Sequence, residues 1–209
     1  MTRNLVAGFA AAATLFGAAA AHAVPVVSFD FTLPTPDGPV ATPTSTTGIV
    51  RLNFVGTDAS GGDVFDPTPP NSRSPWDNTV FENDPLAQYN SVSAGATATY
   101  DFARDQRSFS LMWGSPDSYN TLSFLLDGQL VFALSGTNVA NPPTPGTGFV
   151  NTTITNFLFD QVIFSSANDA FEYARLATSA VPVPPAALAL ISALAGLGFV
   201  GRKRSAAKA

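Results

Sequence analysis

Two short carboxylate-bearing stretches and one tryptophan are the places where this chain could do chemistry. Trp113-Gly-Ser-Pro-Asp-Ser-Tyr-Asn120 offers Asp117 and Asn120 three residues apart in a turn, with Tyr119 alongside. Hard oxygen donors of that kind, with backbone carbonyls, are what Ca²⁺ requires. The same short polar side chains also bond their own backbone and set tight turns, and that second use is the commoner one. Asp58, Asp63 and Asp66 flank Ser60-Gly61-Gly62 but miss the alternating Asp-x-Asp-x-Asp-Gly order of a calcium loop, so a solvated loop is the better reading. Calcium is therefore a candidate ligand only, and no cofactor is expected. Trp76, at the end of a Pro-rich loop, is a candidate for stacking on a sugar ring. Trp113 shares the register of Phe109 and Leu111 and belongs to the core.

Stronger exclusions come from the residues that are missing. The stretch 24–180 keeps all 15 acidic residues, and five arginines against them leave a formal charge of −10. A phosphate backbone selects the opposite surface, so nucleic acid is not a partner. The single histidine, His22, lies ahead of this stretch, which has no His, Cys or Lys. Ser-His and Cys-His nucleophiles, Lys Schiff bases and the usual zinc, copper and haem ligands are thereby removed. Glycoside hydrolysis needs two carboxyl groups across the scissile bond. Only Glu82 and Glu172 stand beside 13 aspartates, and no pair is evident from spacing. A non-catalytic protein is expected.

The elements that must position these residues read as strands. Phe, Val, Thr and Ser recur at short spacing between Gly, Pro, Asn and Asp. Strands are expected at 26–33, 47–55, 92–102, 108–113, 121–126, 129–134, 149–156, 157–164 and 170–176. Phe109, Leu111 and Trp113 alternate with Ser108 and Ser110, the period of a half-buried strand. Asp127-Gly128 is a hairpin signal. The expected fold is all-β, an antiparallel β-sandwich of jelly-roll type, with a partly closed barrel as the alternative. Residues 57–75 and 141–148 read as surface connections.

Both ends stand apart from this domain. Arg3 precedes an apolar run from Leu5 to Ala20, and Ala21-His22-Ala23 places small residues where a signal peptidase inspects them, so residues 1–23 read as a signal peptide cut after Ala23. At the other end, Val181-Pro182-Val183-Pro184-Pro185 is followed by an uncharged run, 186–201, and then by Arg202, Lys203 and Arg204. Proline cannot continue a helix but tolerates its start, so a helix is expected over 186–201. At about 1.5 Å per residue it is roughly 24 Å long, short of a ~30 Å hydrocarbon core. The basic cluster should stay cytoplasmic, with the domain outside.

In its order of Val-Pro-x-Pro, apolar helix and basic cluster, the segment 181–209 resembles the PEP-CTERM sorting signal, with Val183 where that signal has its central Glu. Within the domain, Arg73-Ser-Pro-Trp76, Tyr89-Asn-Ser-Val92, 94–100, 113–122, Phe164-Ser-Ser and Ala170-Phe-Glu172 are similar to segments that recur together in one group of exosortase-dependent surface proteins. The resemblance implies transient membrane anchoring and processing near Pro182 to Pro184 by an exosortase. It further implies delivery to the cell surface or the extracellular polysaccharide matrix of a Gram-negative bacterium. It transfers no enzymatic activity. A carbohydrate- or calcium-binding surface module is the alternative reading.

Overall fold

The computed structural model describes residues 24–55, 72–139 and 148–182. The expected signal peptide, residues 56–71 of the expected loop, the connection 140–147 and the helix expected over 186–201 lie outside the described residues. Among those described, no helix is long and apolar enough to cross a membrane.

Among the described residues, nine antiparallel strands carry the fold: β1 Val26–Asp30, β2 Ser45–Thr47, β3 Val50–Val55, β4 Gln88–Val92, β5 Thr97–Gly114, β6 Asn120–Leu126, β7 Gln129–Ser135, β8 Phe149–Ser166 and β9 Phe171–Ala180. They form a single hydrogen-bonded sheet of order β3-β4-β9-β5-β8-β6-β7, with β1 on β8 and β2 on β5. Hairpin β6–β7 turns at Asp127 and Gly128, with φ of 52° and 75°, the left-handed pair that a two-residue turn demands.

The two 18-residue strands, β5 and β8, fold this sheet into two layers. Thr97–Asp101 of β5 pairs with 161–165 of β8, which also holds β6, whereas 108–114 pairs with 149–155, which also holds β1. Between these halves the register shifts at 101–108, and Asn156 takes a φ of 66°. Such bulges bend a strand and change which side chains face inward. The inward set accordingly changes parity: Ala98 and Tyr100 before the bend, Phe109, Leu111 and Trp113 after it. The sequence reading split each long strand in two for this reason, since a change of parity looks like a break. The layers are thus halves of one folded sheet, where two separate sheets were expected. β4 was read only at its last residue.

Aromatic side chains fill the space between the layers. Phe164 of β8 stacks on Tyr173 of β9 with centroids 3.9 Å apart, and Phe109 of β5 meets Phe124 of β6 edge-on at 5.3 Å. Each pair joins one layer to the other, and burial of each ring contributes on the order of 2 kcal/mol. Between β1 and β2 the segment 31–44 acts as a strap. It is tied down where Tyr100 donates its hydroxyl to the Ala41 carbonyl at 2.8 Å, 3.0 Å from the Tyr173 hydroxyl.

Candidate functional site: a clasp at the open end of the folded sheet

Opposite the bend, two connections pass from layer to layer and grip each other. Residues 115–119 lead from β5 to β6, and 167–170 lead from β8 to β9. The Ala167 amide donates to the Tyr119 carbonyl at 3.1 Å, and the Tyr119 hydroxyl lies 3.1 Å from the Asp169 carbonyl and 2.9 Å from Asp117 Oδ2. The Ser166 hydroxyl bonds Asn120 Oδ1 at 2.7 Å, while Asn120 Nδ2 donates to the Ser115 carbonyl at 3.3 Å. Glu172 Oε1 accepts the Arg73 amide at 2.9 Å, and Oε2 accepts the Ser115 hydroxyl at 3.4 Å.

Asp117 and Asn120, the pair singled out from sequence, are therefore brought together, but as turn-setters. The Asn120 amide donates to the Asp117 carbonyl at 3.0 Å, closing the turn, and both side chains are buried and hydrogen-bonded within the clasp. Among the described residues no group of three or more acidic, His or Cys side chains could hold a metal ion.

Burial perturbs the acids of the clasp. Glu172, 2 % exposed, has its carboxyl pushed up to about 8, first by desolvation, with the Asp117 charge a smaller contribution. Desolvation also raises Asp117, partly offset by hydrogen bonds from Tyr119 and Ser115. Tyr119 is raised by its own burial and then by the neighbouring Asp117. Loss of hydration penalises the charged form, so near neutral pH Glu172 is mainly a protonated acid. The sequence reading did not single out this pair of carboxyls. The available signal was a glutamate set between Phe171 and Tyr173 in a run buried without interruption from Ala170 to Ala174.

Trp76 requires a correction. It is fully buried, edge-on to Phe81 at 6.2 Å, and cannot stack on a sugar from solvent. Its neighbours Ser74 and Pro75 are buried as well, so the expected surface loop ends before residue 74. The indole covers more apolar area than any loop position could leave in water at no cost.

An all-β folded sheet with a polar clasp and no catalytic triad or metal cluster among the described residues defines a structural class but not a reaction. No protein-family model, curated protein or solved structure matches the chain.

Proposed function

We propose that this chain is a non-catalytic exported protein, a jelly-roll-like β-sandwich delivered to the cell envelope surface or surrounding polysaccharide by a signal peptidase and an exosortase. The observation that carries the reading is the order of devices at the C-terminus, Val181-Pro-Val-Pro184, an uncharged run and Arg202-Lys-Arg204, behind an N-terminal Ala21-His-Ala23. The folded body supports it. β1 starts at Val26, just past Ala23, and β9 ends at Ala180, just before Val181. Asn156 Nδ2 holds the Val24 carbonyl at 3.0 Å and the Asp105 carbonyl holds the Val181 amide at 2.9 Å, so both ends leave beside the bend in β5 and β8. Cutting at either end removes no strand, and an anchor at residues 186–201 would leave the clasp facing away from the membrane.

The non-catalytic part rests on two sets of carboxyls. Asp117 and Glu172 are buried and committed to the clasp. Asp30, on the outer face, is held below its usual range by hydrogen bonds from Thr32, the reverse of what a general acid needs. Replacing Arg202, Lys203 and Arg204 by glutamine tests the sorting. The account expects unprocessed chain retained in the cell, and an unchanged mature mass at the surface would refute it.

A further inference from the structure

On the outer face of the sheet, between the strap and strands β1, β8, β5 and β9, lies a cleft of about 370 Å³. Its floor is a grid made by cross-strand register. Asp30, Asn151 and Met112 form one row, and Thr153, Ser110 and Ala177 form the next. Neighbours within a row are about 4.8 Å apart and the rows about 7 Å apart. Thr32, Pro34 and Asp37 of the strap supply the wall.

Arg175 closes the cleft from β9. Its φ of 49° falls where the β5–β9 register shifts between Ser110 and Met112. A bulge of this kind re-aims a side chain. The guanidinium Nε donates to Asp37 Oδ2 at 3.2 Å, and no described group pairs with its two terminal nitrogens. Asn151 gives Nδ2 to the Thr32 carbonyl at 2.7 Å and keeps Oδ1. Asp30 uses Oδ1 to accept the Thr32 amide at 2.9 Å and keeps Oδ2. The hydroxyls of Ser110 and Thr153 have no partner among the described residues.

We propose that this cleft binds a neutral, hydroxyl-rich saccharide unit. Donors and acceptors are interleaved at the spacing of adjacent strands, which suits a ligand whose every hydroxyl both gives and takes a hydrogen bond. Pro34 and Ala177 offer apolar surface to the C–H faces of a ring, while Met112 beneath them is fully buried. The Asp37–Arg175 pair cancels and Asp30 remains, so the net charge disfavours uronates and phosphates. Two carboxylates are too few for a bare divalent cation, which takes six to eight oxygens. No aromatic ring lines the cleft, so affinity is weak, of order 1 mM per unit, and retention in a polymer would come from many such contacts. The proposal deepens the matrix reading by naming where polymer is met. It is tested on purified protein, so its failure is separate from a failure of sorting.

The experiment is a titration of the full-length, ¹⁵N-labelled protein, in a sugar-free detergent, with cellobiose, lactose, N,N′-diacetylchitobiose and digalacturonate. At least one neutral disaccharide should give saturable shifts confined to residues near Ser110, Asn151, Thr153 and Arg175. Ser110→Val and Thr153→Val should each weaken binding about tenfold, the loss of one good hydrogen bond, with thermal midpoints retained. The proposal is overturned if those residues show no saturable shift up to about 20 mM. Tighter binding of digalacturonate, or shifts elsewhere that both variants leave intact, would overturn it too.

Discussion

The backbone amide of Arg73 donates to Glu172 Oε1 at 2.9 Å, joining residues 99 apart in sequence. That bond seats the segment leading to Trp76 on the clasp, and it falls on a carboxyl buried enough to be raised to about 8. Stability should therefore depend on pH through this side chain, with Asp117 shifted in the same direction.

A carboxyl raised on folding stabilises fully below its unfolded value, near 4.5, and that contribution is lost as pH climbs toward about 8. The folded protein should lose a few kcal/mol between pH 5 and 9, read as a falling urea midpoint, from a shift of this order. Glu172→Gln keeps an acceptor for Arg73 and should flatten that profile, with its gain over the parent greatest at alkaline pH. A parallel pH profile in the variant would show that the charge of Glu172 is not what is being penalised.

The strap offers a second test. Tyr100→Phe removes the donor to Ala41 and the partner 3.0 Å from the Tyr173 hydroxyl, whereas Tyr173→Phe leaves the Ala41 bond in place. The first should cost about 2 kcal/mol and the second about 1, because only the first removes the short bond to the strap and leaves the Ala41 carbonyl with the longer one from Asn90 Nδ2 at 3.4 Å. Proteolysis within the strap should rise in Tyr100→Phe and stay near the parent rate in Tyr173→Phe. Equal sensitivity would mean that the strap's other bonds, among them that of the Val40 amide to Asn53 Oδ1 at 2.8 Å, suffice to hold it.

Gly136 lies against the clasp so closely that a Cβ there would stand 2.1 Å from the Asp117 carbonyl oxygen. Gly136→Ala should displace the 115–119 connection and cost about 3 kcal/mol, the upper range of overpacking. The fluorescence of Trp113, one residue before the end of β5 and close to that connection, should change with it. A variant as stable as the parent would show that the two turns are not in contact.

How much of this was legible follows from which signals are local. The alternation in 108–113 and the Asp127-Gly128 turn depend on neighbours in sequence, and both are present in β5 and in the β6–β7 hairpin. The bend is not local. Asn156 in a left-handed conformation and the shift at 101–108 change the buried face, so 149–156 and 157–164 read as two strands though they are one. Trp76 was misplaced because the Pro-rich loop before it gives no hint that the chain turns inward at Ser74. Asp117 and Asn120 were found by type and spacing, but Ser166, which bonds Asn120, and Asp169 and Glu172, which bond Tyr119 and Ser115 of the same connection, lie some 50 residues on and meet it only through the layer crossings.

The central claim is that the folded sheet is released from two sorting segments at its bent end. Intact-mass spectrometry of the protein purified from its native cells tests this most directly. The account predicts a polypeptide that begins at Val24 and ends between Pro182 and Pro184, plus the mass of any attached group. A chain that keeps residues 1–23 or runs through Arg202-Lys-Arg204 to Ala209 would contradict it.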